Sequence, residues 1–327
     1  MNRRKRKAVI SALSWNQDQV RLIEDIGVTV KVIPDRVDAL FQEEVKNAEA
    51  LIVGLPAVSR STMENAPNLK IIACQGVGIS HIDLEAANQL GILVANTPAV
   101  NSDTVAEFTL GLILAIVRRI PHGWIEMVKG GWGRSKFSGT ELKGKTLSIL
   151  GFGQIGRRVS KLGAALGMKV LAWSRTISEQ DFKDARAEPV SKNQAISKAD
   201  ILTLHLTLNR ETRNIIGSAE LAMMKPTAFL INTGRGGLVD NEALLKALDN
   251  GLLAGAAIDV FEEEPPADHR LIEHPKVLTT PHLAGLTQEA KYRMCIAAAE
   301  QVVCALKGER PPYTVNDPQN PRYLRKD

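Results

Sequence analysis

The chain has 327 residues, 44% of them hydrophobic and 24% charged, which is enough apolar material for two ordinary domains. Lys and Arg outnumber Asp and Glu by 41 to 36, but part of that excess sits in the run Arg3-Arg4-Lys5-Arg6-Lys7, read as a solvated terminus, so no nucleic-acid partner is expected. Cys74, Cys295 and Cys304 are an odd number without CxxC or metal-ligand spacing, and no signal peptide precedes the first apolar stretch, so a reducing, cytoplasmic setting and no metal are expected.

Short apolar, β-branched runs open the chain at Ala8–Ser11, Val28–Ile33, Ala50–Gly54, Ile71–Gln75 and Ile92–Asn96, with helical periodicity between them, as at Val20, Ile23 and Ile26. That alternation predicts a parallel α/β domain. Asn96-Thr97-Pro98 then breaks the chain, and a long helix follows, with Thr104-Val105-Ala106-Glu107 matching a capping box at its start. Within it, Phe108 to Val117 is apolar on nearly every face yet too short to span a bilayer. No membrane association is expected, and the excess of apolar surface predicts a homodimer. A second alternation follows, with strands expected at Thr146–Leu150, Lys169–Ser174, Ile201–Leu206, Ala228–Asn232, Ala254–Val260 and Val277–Thr280. After His282 only a helix from about Thr287 to Leu306 and a proline-rich tail remain. The expected division is one domain from 1–98 with 288–327 and another from 99–287.

The strand Thr146–Leu150 runs into Gly151-Phe152-Gly153-Gln154-Ile155-Gly156, and Ile155, Val159, Leu162 and Leu166 continue at helical spacing. GxGxxG between a strand and a helix is the pattern of dinucleotide binding: one glycine for the turn, one for close approach of a pyrophosphate, one for helix packing. Gly151, Gly153, Gln154, Ile155 and Gly156 are the expected cofactor contacts. NAD-specific folds place an acidic residue at the end of the next strand, but here that strand ends Trp173-Ser174-Arg175-Thr176. Ser174 and Arg175 therefore predict NADP(H) as the preferred cofactor, with NAD(H) possible. The ordinary alternative for Arg175 is a solvated loop residue.

In an open parallel sheet, ligands bind outside the carboxyl ends of the strands. The later strands deliver Arg235, then Asp259 and Glu264, then His282 to that edge. Singly, each has an ordinary reading as a surface arginine, part of the acidic run Glu262-Glu263-Glu264, or a loop histidine. Together beside a nicotinamide they suit ketone reduction, which needs a proton donor and a clamp for negative charge on oxygen. His282 would supply the proton, Arg235 the planar fork, and Glu264 the partner that orients the imidazole.

Asn232-Thr233-Gly234-Arg235-Gly236, the stretch Asp259–Pro265, and Thr280-Pro281-His282-Leu283-Ala284-Gly285, with their spacing, resemble the D-isomer-specific 2-hydroxyacid dehydrogenase family, over nearly the whole chain from Gln75-Gly76-Val77-Gly78 to Val315-Asn316. The resemblance implies a Rossmann dinucleotide-binding domain plus a discontinuous flavodoxin-like substrate domain completed by the last helix. It implies a reductase of small 2-keto acids such as glyoxylate or hydroxypyruvate, yielding the D-2-hydroxy acid, and a dimer formed around the long helix. Arg235, Glu264 and His282 take the catalytic positions, Arg235 also binding substrate. Val77 and Gly78 match the loop whose amides hold the substrate carboxylate, and Thr104, His205, Thr233, Asp259 and Gly285 match cofactor-lining positions. Pocket shape is expected to depend on Leu55, Ile79 and Trp132, the last from a neighbouring subunit. The sequence departs from the family at Thr207, where proline is usual, and at Ser174, where NAD-preferring members carry aspartate. With no regulatory domain after Asp327, the chain is expected to differ from the longer allosteric phosphoglycerate dehydrogenases. The alternative of another class is a nucleotide-sensing corepressor of the same fold.

Overall fold

The computed structural model describes residues 6–12, 14–35, 39–54, 56–79, 81–176 and 178–325. Arg3, Arg4 and Lys5 of the basic run, and Leu55, lie outside them. The chain divides into two compact units, Met1–Asn101 with Thr287–Asp327, and Ser102–Leu286.

The first unit runs β1 (Lys7–Ser11), α1 (Gln17–Glu24), β2 (Thr29–Ile33), α2 (Ala39–Val45), β3 (Ala50–Val53), α3 (Arg60–Glu64), β4 (Ile71–Cys74), α4 (Leu84–Leu90) and β5 (Leu93–Ala95). Its strands are all parallel, in the order β2-β1-β3-β4-β5, the flavodoxin-like sequence. β3 and β4 are buried along their whole length, which is why ALIV and IIAC carry no polar alternation.

The second unit begins with α5 (Ser102–Val117) and α6 (Ile120–Val128). It continues through β6 (Thr146–Leu150), α7 (Gln154–Ala165), β7 (Lys169–Trp173), α8 (Glu179–Asp184), β8 (Glu188–Pro189), α9 (Lys192–Lys198) and β9 (Ile201–Leu204). It ends with α10 (Ser218–Met223), β10 (Phe229–Asn232), α11 (Asn241–Asp249), β11 (Gly255–Ile258), α12 (Arg270–Glu273) and β12 (Val277–Thr279). Seven parallel strands lie in the order β12-β11-β10-β9-β6-β7-β8, so connections run outward in both directions from β6 and the order reverses between β6 and β9. That is the doubly wound Rossmann topology with its ligand crevice at the switch point. The last helix, α13 (Gln288–Leu306), belongs to the first unit, where Ala298, Ala299, Val302 and Ala305 share a core with residues of β1, β3 and β4.

Three local readings change. α5 begins at Ser102, so Thr104 stands buried inside the first turn instead of capping it, and Asp103 supplies the negative charge that the helix start favours while pairing with Arg158 of α7. The run Phe108–Val117 is largely used within its own unit: Leu112, Ile113, Ile116 and Val117 are buried in that unit's core, where the helix packs against α7, β10 and β11. The exposed apolar surface lies instead just beyond it, on α6, which buries none of its residues and exposes Ile120, Trp124 (67%), Ile125, Met127 and Val128, followed by Trp132 (74%). Finally, β8 is a two-residue edge strand ending in proline, too short to leave a periodic signal and confined to the edge by its missing donor.

Candidate active site

Because every strand of the second unit is parallel, the loops after β6, β7, β9, β10, β11 and β12 leave the sheet at one edge. The glycines after β6 divide the work. Gly151 sits at φ 95° with its missing Cβ position 2.4 Å from the His205 carbonyl, and a Cβ on Gly156 would fall 2.2 Å from the Gly151 carbonyl, so both permit backbone to pack on backbone. Gly153 meets nothing within 4 Å, leaving the open side of the loop clear. No side chain caps α7, and among the described residues the N–H groups of Gln154, Ile155 and Gly156 meet no acceptor. The helix start thus offers unmet donors and a positive dipole end without steric cover, which fits a dinucleotide pyrophosphate.

Ser174 and Arg175 follow β7 directly, Ser174 half-buried and Arg175 exposed, the guanidinium paired with Glu211 from the loop after β9. His205, at the end of β9, shares a 3.0 Å hydrogen bond between Nε2 and the Thr203 hydroxyl. Burial pushes its pKa down to about 3, so the ring is neutral at ordinary pH. Its Nδ1 is buried and meets no partner among the described residues.

The turn after β10 is built by Asn232, whose Oδ1 accepts from Gly234 N–H at 3.0 Å and whose Nδ2 donates to the Arg235 carbonyl at 2.9 Å. Thr233 is buried and shares a 2.9 Å hydrogen bond with the Thr109 hydroxyl of α5. A Cβ on Gly236 would lie 2.0 Å from the carbonyl carbon of Phe261, so the Arg235 turn presses directly on the loop that carries Glu264.

Asp259 is fully buried and organises the next turn: its carboxylate accepts from the Thr280 hydroxyl at 2.5 Å and from Leu283 and Ala284 N–H at 2.8 and 2.9 Å, and its carbonyl accepts from His282 N–H at 2.9 Å. These bonds hold His282 at φ 54°, a left-handed conformation uncommon outside glycine. Gly285 follows in the same turn, half-buried. The His282 Nδ1–H donates to Glu264 Oε2 at 2.6 Å, while Glu264 Oε1 accepts from Phe261 N–H at 3.0 Å. That hydrogen bond raises the His282 pKa above its ordinary value; burial and the Arg235 charge oppose it, and the charges of Glu264 and Asp259 assist. Burial alone would raise Glu264, but the bonds from His282 and Phe261, with the charges of His282 and Arg235, bring it below its ordinary value. Arg235, Glu264 and His282 therefore act on one another electrostatically, and the ring nitrogen left over is His282 Nε2.

The loop after β4 in the first unit carries Val77, 41% exposed, and Gly78. Ile79 is half-buried against that unit's own core. Among the described residues, no group of His, Cys, Asp and Glu could hold a metal ion, and no helix is long and apolar enough to cross a membrane.

A family model described as the D-isomer specific 2-hydroxyacid dehydrogenase NAD binding domain matches residues 110–284. The chain belongs to the D-isomer-specific 2-hydroxyacid dehydrogenase family. It is similar to a glyoxylate reductase of Aeropyrum pernix, 42% identical over 89% of this chain and 90% of that one. It is also similar to a D-3-phosphoglycerate dehydrogenase of Methanocaldococcus jannaschii, 39% identical over 94% of this chain but spanning only 59% of that longer protein. Among solved structures, a D-lactate dehydrogenase of Aquifex aeolicus complexed with NAD and lactic acid superposes with a TM-score of 0.84 at 29% identity, covering 95% of this chain and all of that one.

Sequence reading misses several contributors to this family's site region. Asn232 lies in the stretch Asn232–Gly236, where Asn two residues before Gly is an Asx-turn signal. Thr109 and Glu211 left no signal, because their partners Thr233 and Arg175 lie far away in the chain and meet them only in the fold.

Proposed function

We propose that this protein reduces a small 2-keto acid of the glyoxylate or hydroxypyruvate kind to the D-2-hydroxy acid, with NADP(H) preferred over NAD(H). The observation that carries this reading is the mutual arrangement of Arg235, Glu264 and His282 on the sheet edge that also holds the uncapped glycine-loop helix. In this reading the unit Ser102–Leu286 binds the dinucleotide, with Gly151, Gly153, Gln154, Ile155 and Gly156 at the pyrophosphate and Thr104, His205, Thr233, Asp259 and Gly285 lining the rest of its site. A bound reduced nicotinamide supplies the hydride to C2 of the keto acid. As the carbonyl oxygen gains charge, His282 Nε2 gives it a proton, and the positive ring left until then is favoured by Glu264 on Nδ1. Arg235 binds the substrate through its fork of N–H donors, and the amides of Val77 and Gly78 hold the carboxylate.

Ser174 removes the carboxylate that would repel a 2′-phosphate, and Arg175 offers a charge-assisted contact generally worth about 1.5–3 kcal/mol, or roughly 10- to 150-fold in affinity. Glu211 competes for that guanidinium, but an exposed ion pair contributes only about 0–1 kcal/mol, so a doubly charged phosphate displaces it. The expected kcat/KM with one keto acid is therefore higher for NADPH than for NADH, and Ser174→Asp shifts the ratio toward NADH. A wild-type ratio at or below unity sinks the cofactor assignment.

We also propose a homodimer, supported by the row of exposed apolar side chains from Ile120 to Trp132. Sedimentation should give a dimer at micromolar concentration, and Trp124→Glu with Val128→Glu should shift it toward monomer. A stable wild-type monomer of 35.6 kDa would contradict this.

A further inference from the structure

Three consecutive carbonyls of the loop after β4 are tied down within the first unit. The Gly76 carbonyl accepts from Thr97 N–H at 3.0 Å, the Val77 carbonyl from Asn96 Nδ2 at 2.9 Å, and the Gly78 carbonyl from the Cys74 thiol at 3.1 Å. A trans peptide is planar, so a carbonyl and the N–H of the next residue point in opposite directions. Fixing these carbonyls therefore turns the N–H groups of Val77, Gly78 and Ile79 away from the ties. Among the described residues none of the three meets an acceptor. Gly76 makes the turn possible at φ 154°, a conformation that L side chains rarely adopt. Successive unmet N–H groups of this sort form an anion-binding concavity.

The ties differ in strength. Thr97 gives a backbone bond that no substitution removes simply, and a thiol is a weak donor. Asn96 gives the one strong side-chain bond of the three, and it is itself firmly placed. Its N–H donates to the Tyr313 carbonyl at 3.1 Å, and Ala95 before it bridges Thr314. The same tail is pinned where Asn316 accepts from Val94 N–H at 2.7 Å and donates to the Ile92 carbonyl at 2.9 Å.

We propose that Asn96 is a positioning residue for recognition of the substrate carboxylate: by holding the Val77 carbonyl it presets the Gly78 N–H, and with it the row of donors from Val77 to Ile79. This rests on the reading above that the loop takes the carboxylate, and it adds a residue that does not touch the substrate. Asn96→Ala loses the donor, and Asn96→Asp also sets a charge against the Val77 carbonyl.

The test measures kcat and KM for glyoxylate, inhibition by oxamate, and the Kd for NADPH, on the full chain. The loss of one such hydrogen bond, about 0.5–1.5 kcal/mol, corresponds to roughly a 2- to 12-fold change. In Asn96→Ala the KM and the oxamate inhibition constant should both rise by roughly tenfold, the upper end of that range, and in Asn96→Asp further. The kcat should stay near wild type and the NADPH Kd should not move. Asn96→Ala alone decides the matter if the aspartate variant does not fold. KM and oxamate inhibition unchanged from wild type overturn the proposal, as does an equal loss of NADPH affinity, which would mark general damage. If wild type reduces glyoxylate and only the variants fail to respond, this inference alone falls. A wild type that reduces no 2-keto acid removes the functional reading and this inference with it.

Discussion

His282→Ala is expected to lower kcat for keto-acid reduction by about 100-fold or more, since positioned acid/base catalysis typically contributes 10²–10⁴. The cofactor Kd should change little, because the Asp259 bonds that shape this turn are made to Thr280 and to backbone N–H groups and survive loss of the imidazole. The pH profile gives a second check. Reduction needs His282 protonated, so kcat/KM falls as pH rises through its pKa, which the Glu264 bond holds above the ordinary 6.5. Glu264→Gln removes the charge and moves that descending limb to lower pH. Oxidation of the hydroxy acid needs the neutral ring, so its ascending limb moves down as well. A wild-type-like kcat in His282→Ala, under conditions where chemistry limits turnover, would overturn the assignment.

Arg235→Ala is the other large effect. The guanidinium would hold the substrate in the ground state and meet the charge that develops on the carbonyl oxygen only in the transition state, so KM should rise and kcat fall together. Losing two charge-assisted bonds costs about 3 kcal/mol or more, roughly 150-fold or more in kcat/KM. Arg235→Lys should rescue poorly, because a point charge does not reproduce the two-pronged contact. The charge has a separate signature. Arg235 opposes protonation of His282, so its removal should move the descending limb to higher pH, opposite to Glu264→Gln. Full activity in Arg235→Lys would count against a bidentate role.

The strands were legible because buried parallel strands are continuous apolar runs, as in ALIV at Ala50–Val53, and the glycine loop because its spacing is tied to one turn geometry. The gathering of Arg235, Glu264 and His282 was legible from strand order alone, since each follows a strand of one parallel sheet. The use of α5 was not, because an apolar run gives no direction: its buried side packs against α7, β10 and β11, and the exposed surface falls on α6. Asn96 and Glu211 were equally silent. A polar residue after a strand reads as loop until the fold brings it to the Val77 carbonyl or to Arg175.

Reduction of a 2-keto acid to the D-2-hydroxy acid is measured with wild-type protein, NADPH and hydroxypyruvate, following nicotinamide oxidation and resolving the stereochemistry of the product. Stoichiometric oxidation with formation of D-glycerate is the expected result. No oxidation with any 2-keto acid and either reduced cofactor, or formation of the L-acid, would contradict it.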